Sequence, residues 1–270
     1  MRPPLRQLGT GLLAVAVVAL IGATWFAVSS SLSSSSSAAS FSLLQMNLCL
    51  SGQAGCYSPS AYPSALDEAV AVIDDGDPDA VTINEACRRD VAELARRTGY
   101  ELSFTGVDYG GAPLPCIDPA GRGLFGIAVL TRDDVRTSQE GVLTVRADPE
   151  ERRWLCATTD GAVMVCTSHL STRDSPGERV DNDVQCRELS QVLARRATLG
   201  TTFFGGDLNR QDSCAPATMW VARDSSASQS AGLQHVYGSR SVDHPSASIV
   251  EATYTDHDFL LVAARVAPES

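Results

Sequence analysis

A chain of 270 residues, 44% of them hydrophobic, can bury a full core, and its ordered part suits one large domain. The formal net charge is −11 at pH 7 and no lysine occurs, so sequence-independent, tight binding along a nucleic-acid backbone is disfavoured. Turnover of a phosphate ester at one metal-bearing site is not excluded, because there the ion supplies the positive charge.

Arg2 and Arg6 precede an apolar run from Gly11 to Val28, and a serine-dominated stretch follows from Ser29 to Ser40. Basic, hydrophobic and polar regions in that order read as an export signal. The run is longer than the roughly 7–15 residues of a signal-peptide core and close to the roughly 18 of a membrane span. Cleavage at Ser37-Ala38-Ala39 would release the protein; an uncut segment 1–28 would tether it to a membrane through its N-terminal helix. Residues 29–40 are a flexible spacer under either outcome, and 41–270 form the domain, extracellular or held at the cell envelope.

All eight cysteines lie beyond the spacer, an even number that suggests disulfides in an exported chain. No Cys-x-x-Cys spacing supports a zinc site. Proximity favours Cys49 with Cys56 and Cys156 with Cys166, leaving Cys87 with Cys116 and Cys186 with Cys214.

Phe41 to Cys49 reads as a short strand in which Gln45 and Asn47 share a face. A helix is expected from about Pro63 to Asp74, with Leu66, Ala69, Val70 and Ile73 at helical spacing. The acidic turn Asp74 to Asp79 lacks the glycine and glutamate of a calcium loop and reads as a solvated connection. A strand from Ala80 delivers Glu85 at its end, and Arg88 to Thr98 forms a helix closed by Gly99. After a strand from Tyr100 to Val107, the Gly- and Pro-rich stretch Asp108 to Arg122 is expected to be a lid or substrate loop. Strands are expected at Ile127–Thr131, Val142–Val145, Trp154–Thr158 and Ala162–Thr167, the last ending at Ser168-His169. A helix from about Gly177 to Ala197 leads into Thr202-Phe-Phe-Gly-Gly-Asp-Leu-Asn209, whose two glycines would let the backbone turn sharply and approach a ligand. A short helix near Ala217–Arg223, a strand Leu233–Tyr237 and a final pair of strands complete the chain, with Tyr254-Thr-Asp-His-Asp258 between the last two.

Asn47, Glu85, His169, Asp207, Asn209, Asp256 and His257 each fall at or just beyond a strand end, which would gather them on one rim. Acids and amides suit a hard divalent cation, and imidazoles beside it can hold or move protons. Arg122, Arg173 and Arg210 lie beside these motifs as candidate phosphate contacts, and no Gly-x-Ser-x-Gly elbow of a serine hydrolase occurs. Gln45-Met-Asn-Leu, Asn84-Glu, Ser168-His-Leu, Gly206-Asp-Leu-Asn and Thr255-Asp-His, in this order, resemble the successive motifs of the endonuclease/exonuclease/phosphatase superfamily.

The resemblance implies a four-layered α/β sandwich, two packed mixed β-sheets flanked by helices, and magnesium- or manganese-assisted hydrolysis of a phosphate ester. It makes Glu85 the principal metal ligand, with Asn47 and Asp256 assisting. Asp207 would orient or deprotonate water, Asn209 would hold the phosphate, and His169 and His257 would stabilise charge or transfer protons. Gln234 stands where relatives carry an aspartate that orients the histidine; Asp243 or another acid could substitute. His235 and His244 match no motif and read as structural. The expected enzyme is a monomer that hydrolyses a phosphodiester, as a nuclease on extracellular nucleic acid or as a sphingomyelinase-like lipid phosphodiesterase, or a phosphomonoester, as a phosphatase. A non-catalytic binding protein on the same fold is the competing class.

Overall fold

The computed structural model describes residues 39–53, 62–224, 230–239 and 242–266. The expected export segment 1–28 and most of the spacer lie outside the described residues, as do Cys56 and the side chains of Asp243 and His244. Among the described residues no helix is long and apolar enough to cross a membrane.

Strand β1 (Ala39–Asn47), helix α1 (Ser64–Gly76) and β2 (Ala80–Cys87) form a βαβ unit in which Asn47 pairs with Asn84 across parallel strands. Helix α2 (Arg88–Thr98) runs into β3 (Glu101–Gly106). The stretch expected to be a loop carries the short strands β4 (Asp108–Tyr109), β5 (Ala112–Pro113) and β6 (Pro115–Ile117) before the long β7 (Ala120–Thr131). β8 (Val135–Val142), β9 (Arg153–Thr159) and β10 (Met164–Ser168) follow, then α3 (Pro176–Ala197), capped by a reciprocal pair of bonds between Ser175 and Glu178. β11 (Thr202–Asp207), β12 (Met219–Arg223), β13 (Gln234–Ser239), β14 (Val242–Val250) and β15 (Phe259–Val266) end the chain.

Two mixed sheets result, one ordered β14-β15-β1-β2-β7-β3 and the other β12-β13-β11-β10-β9-β8. Leu43, Val129, Leu155, Val165, Phe203 and Val262 fill the space between them, with Phe41 stacked on Phe203. Leu66 and Ile73 of α1 and Val91 and Leu94 of α2 cover the outer face of the first sheet. Leu189 and Leu193 of α3 cover the second, against Phe204 and Tyr237. The fold is therefore a four-layered α/β sandwich, because each sheet is apolar on both faces and needs a cover on both.

The glycines of β11 serve packing and not a turn. A Cβ on Gly205 would meet Thr82 Oγ1 at 2.1 Å, and one on Gly206 the Ser168 carbonyl oxygen at 2.4 Å, so the strand can lie this close to its neighbours only without side chains there. Met219–Arg223 is a strand where a helix was expected: it pairs with β13 at the sheet edge, and tertiary pairing overrides the local preference. Likewise β8 runs from Val135 to Val142, upstream of the expected Val142–Val145, as a largely exposed edge strand whose polar residues carry no apolar signal.

Disulfides join Cys87 to Cys116, Cys156 to Cys166 and Cys186 to Cys214, the pairs expected. Cys49 is also disulfide-bonded.

Candidate active site

The parallel strands β1, β2, β10 and β11 all end at the same edge of the sandwich, which is where Asn47, Glu85, Ser168-His169 and Asp207 lie. β13 begins there too, with Gln234 opposite Asp207, and so does the segment before β15 that carries Asp256 and His257. Two local departures from regular structure aim the side chains. Pairing of β2 with β7 slips between Ile83 and Ala86, and Glu85 takes φ of +54°, a bulge that swings its carboxylate out of the strand alternation towards the rim. Asn209, with φ of +50°, turns the chain after β11 while its N–H bonds Asp207 Oδ1 at 2.8 Å.

Asn47 Nδ2 donates both to Glu85 Oε1 at 2.8 Å and to Asp207 Oδ2 at 3.0 Å, joining the two carboxylates. Its Oδ1 accepts from Cys49 N, so Asn47 enters the cluster as a donor and not through the oxygen expected of a metal ligand. His257 Nε2 lies 3.4 Å from Asp207 Oδ2 and 3.9 Å from Asp256 Oδ1. His169 Nε2 lies 3.6 Å from Glu85 Oε1 and 3.1 Å from Asn209 Nδ2, which also donates to the Leu170 carbonyl. Gln234 Nε2 sits 3.0 Å from His257 Nδ1. Glu85, His169, Asn209, Asp256 and His257 line a cavity of about 470 Å³ whose wall also includes Tyr109, Leu114, Phe125, Glu150, Arg152 and Asp174, while Asn47, Asp207 and Gln234 are buried behind them.

The three arginines expected to contact phosphate do not line this cavity. Arg122 is buried against Asp90 and the Leu50, Asp118 and Pro119 carbonyls; Arg173 and Arg210 share Asp183 and Asn182 of α3. Their donors are taken up in holding loops together. Sequence reasoning missed Arg152, which is 5% exposed, lines the cavity and lies 3.1 Å from His169 Nδ1 through Nη1. The available signal was the charged run Glu150-Glu-Arg-Arg153 entering a strand. Asp181 of α3 anchors that loop by accepting from the N–H groups of Arg146, Ala147 and Asp148. His235 bridges the Arg210 and Gly232 carbonyls and the Tyr237 hydroxyl inside the fold.

Burial pushes the Glu85 carboxyl up to about 7, against the lowering effect of the Asn47 bond. Burial, reinforced by Arg152, pushes His169 down to about 3. Asp207 is held below the ordinary range although burial alone would raise it, because the His257 and His169 imidazoles, the Asn209 N–H and the Asn47 amide outweigh burial. Whether these residues suit a divalent cation can be judged from their unmet needs. Glu85, His169 and Asp207 offer ligand atoms within 4.8 Å of one another, and Asp256 Oδ1 is buried with no hydrogen-bond partner. Oxygen donors that are buried without a compensating positive charge fit a hard cation.

A model of the endonuclease/exonuclease/phosphatase family matches residues 49–257. The chain belongs to that family. Family members are phosphoester hydrolases that depend on a divalent metal. No curated protein matches the chain. Among solved structures, the endonuclease/exonuclease/phosphatase from Beutenbergia cavernae is 19% identical with a TM-score of 0.61, covering 84% of this chain and 72% of its own. The human Nocturnin catalytic domain with bound sulfate is 14% identical, TM-score 0.65, covering 83% of this chain and 93% of its own. D. rerio TDP2 complexed with a single-strand DNA product is 15% identical, TM-score 0.58, covering 84% and 99%. At these identities the likeness is one of fold. The family member described here thus keeps Glu85, Asp207, Asn209 and His257 together at the strand-end rim, with Gln234 and Arg152 behind its two histidines.

Proposed function

We propose that the chain is an exported, divalent-metal-dependent phosphodiesterase of nuclease type. One observation carries this reading: a single amide, Asn47 Nδ2, holds the Glu85 and Asp207 carboxylates side by side, Glu85 in the wall of an open cavity with two histidines and Asp207 buried behind it. Glu85 and Asp256 would hold Mg2+ or Mn2+, which when bound acts as a Lewis acid and template for a phosphoryl group. Asp207, its Oδ1 engaged by Asn209 N and its Oδ2 held by Asn47 Nδ2 3.4 Å from His257 Nε2, would take the proton of an attacking water on Oδ2 as the water oxygen bonds phosphorus. The ester oxygen departs with the bonding pair and is protonated from solvent. Asn209 Nδ2 and the histidine Nε2 atoms surround the place where negative charge develops, preset donors that need no reorganisation. Similar folds hold sulfate in Nocturnin and a DNA product in TDP2, which supports an oxyanion substrate by analogy of fold. The disulfides fit an oxidising compartment and so an exported protein, extracellular or envelope-tethered.

A lipid or small-ester phosphodiesterase is the second reading. It is favoured by the apolar wall of Tyr109, Leu114 and Phe125 and by the engagement of Arg122, Arg173 and Arg210 in ion pairs away from the cavity. The test is an assay of the full chain, disulfides formed, with and without Mg2+ or Mn2+, on plasmid DNA, RNA, a bis-nitrophenyl phosphodiester and sphingomyelin. Metal-dependent cleavage lost in Asp207→Ala establishes the hydrolase and names its substrate. No turnover by folded protein would move the assignment to a binding module.

A further inference from the structure

The stretch expected to be a lid is fastened on both sides at Tyr109. Within the β4–β5 hairpin Tyr109 pairs with Ala112, and on its other side it forms an isolated antiparallel bridge with Glu150. The bonds that make this bridge run between the neighbours, from Gly110 N to the Pro149 carbonyl at 2.8 Å and from Glu151 N to the Asp108 carbonyl at 2.7 Å. Tyr109 and Glu150 are therefore a non-hydrogen-bonded cross-strand pair. In such a pair the side chains leave the same face and come closest, with Cβ atoms about 5 Å apart. Both side chains line the cavity that holds Glu85, His169 and His257.

The pair sets a flat ring beside a hydrogen-bond acceptor. Tyr109 is 51% exposed, whereas Phe125 is 4% exposed, so Tyr109 carries the one well-exposed ring among the described lining residues. Glu150 is held in place: Arg152 Nη1 donates to its Oε1 at 2.8 Å, and its own N–H donates to Asp148 Oδ1 at 2.8 Å. Among the described residues no hydrogen bond reaches Oε2, which is left to accept from whatever enters. Arg152 itself is committed, with Nε and Nη2 on Asp148 Oδ2 at 2.9 and 2.8 Å and Nη1 also 3.1 Å from His169 Nδ1. One guanidinium and one imidazole thus lie between Glu150 and Glu85, whose Oε1 is 3.6 Å from His169 Nε2.

With the wall's arginine so engaged, selective grip on a substrate has to come from another kind of contact. Stacking of a base on an aromatic ring needs no basic group, which suits an acidic chain without lysine. A quaternary ammonium group is instead taken up by a cage of several aromatic faces, and here one open ring stands beside a carboxylate oxygen. We infer that Tyr109 and Glu150 form a base subsite next to the reacting phosphate, the Tyr109 ring stacking on a nucleobase while Glu150 Oε2 accepts a hydrogen bond from its edge. Guanine, with N1–H and the N2 amine side by side, fits best, and adenine and cytosine each offer an amine. Thymine, with a single N–H between two acceptor oxygens, fits worst. The inference rests on the nuclease reading above and names what its substrate carries beside the scissile bond.

The test is calorimetric titration of the full chain, disulfides formed and Mg2+ present, with the four deoxynucleoside 5′-monophosphates, their 3′-isomers and phosphocholine. The guanine nucleotide should bind most tightly and the thymine nucleotide least. Tyr109→Ala should weaken the guanine nucleotide by about 5- to 150-fold, the range for one lost base–aromatic stack, and Tyr109→Phe should restore it. Glu150→Gln keeps an oxygen for Arg152 and turns an amide donor to the base, so the gap between guanine and thymine should collapse. In turnover, Tyr109→Ala should raise KM for a single-stranded oligonucleotide by more than for methyl 4-nitrophenyl phosphate, which has no base. Equal binding of the four bases, no effect of Tyr109→Ala, no nucleotide binding, or phosphocholine bound more tightly than every nucleotide would each overturn the inference. The wild-type ranking and Tyr109→Ala decide if Glu150→Gln fails to fold. Ranked nucleotide binding by a protein that cleaves nothing sinks only the hydrolase, and metal-dependent cleavage without base ranking sinks only this inference.

Discussion

Asn47 Nδ2 donates to Glu85 Oε1 at 2.8 Å while the adjacent strand end supplies Asp207 to its second hydrogen. One buried amide therefore sets the separation of two carboxylates from different sheets. Asn47→Ala should leave both without that donor. Loss of a group that orients a ligand costs about 10- to 100-fold in metal affinity or activity. The unmet hydrogen bonds should also remove about 1–3 kcal/mol of stability. Metal titration and chemical denaturation of the variant check both figures.

Asp207→Asn should lower turnover by about 10²- to 10⁴-fold, the usual range for removal of a positioned base. The amide fills the same space and can keep an oxygen for Asn209 N, but its nitrogen then faces the Asn47 Nδ2 donor, so about 1–3 kcal/mol of stability should be lost as well. Turnover by the folded variant at the wild-type rate would reduce Asp207 to a structural residue.

Asp224 gives a pH prediction away from the reacting groups. Its Oδ1 accepts from Gln234 N at 3.1 Å, Oδ2 is buried without a partner, and burial raises its pKa to about 6. An acid whose folded pKa lies above its unfolded one binds more protons when folded. Stability from this group is thus present below the unfolded value near 4 and is lost as pH rises through about 6. Asp224→Asn should raise the melting temperature at about pH 8 and change it little at about pH 4. Equal shifts at both pH values would contradict the assignment.

The Cys87–Cys116 bond ties the strand end just beyond Glu85 to β6, close to the cavity wall at Leu114. A Cys87→Ser, Cys116→Ser double variant should lose about 2–5 kcal/mol, as for other native disulfides. Loss of activity ahead of global unfolding, followed by enzyme assay across a denaturant series, is expected because the bulge that presents Glu85 adjoins the bond.

The fold was legible where periodicity and punctuation agreed. Helix α2 runs from Arg88 to Thr98 as its apolar spacing and Gly99 indicate, and the strand-end motifs converge on one rim. Legibility failed where structure came from pairing partners distant in sequence. β12 and β8 are edge strands whose residues carry little intrinsic signal, and β4 to β6 are brief pairings within a loop-like composition. The glycines of β11 are explained by Thr82 and Ser168, which no local reading reveals. At the site, the residues at strand ends were visible from their types. Arg152 and the Gln45–Gln234 contact were not, because each depends on side chains meeting across sheets or loops. Arg122 was expected to contact phosphate from its place beside the site motifs, yet its position in β7 turns it to Asp90.

The most direct test of a metal-assisted phosphoester hydrolase is turnover of a bis-nitrophenyl phosphodiester by wild type and Glu85→Gln as Mg2+ or Mn2+ is titrated. Wild-type activity should saturate with metal and vanish with chelator, while Glu85→Gln should fall by about 10²-fold or more and respond weakly to metal. Turnover that persists in chelator and is unchanged in Glu85→Gln would contradict the account.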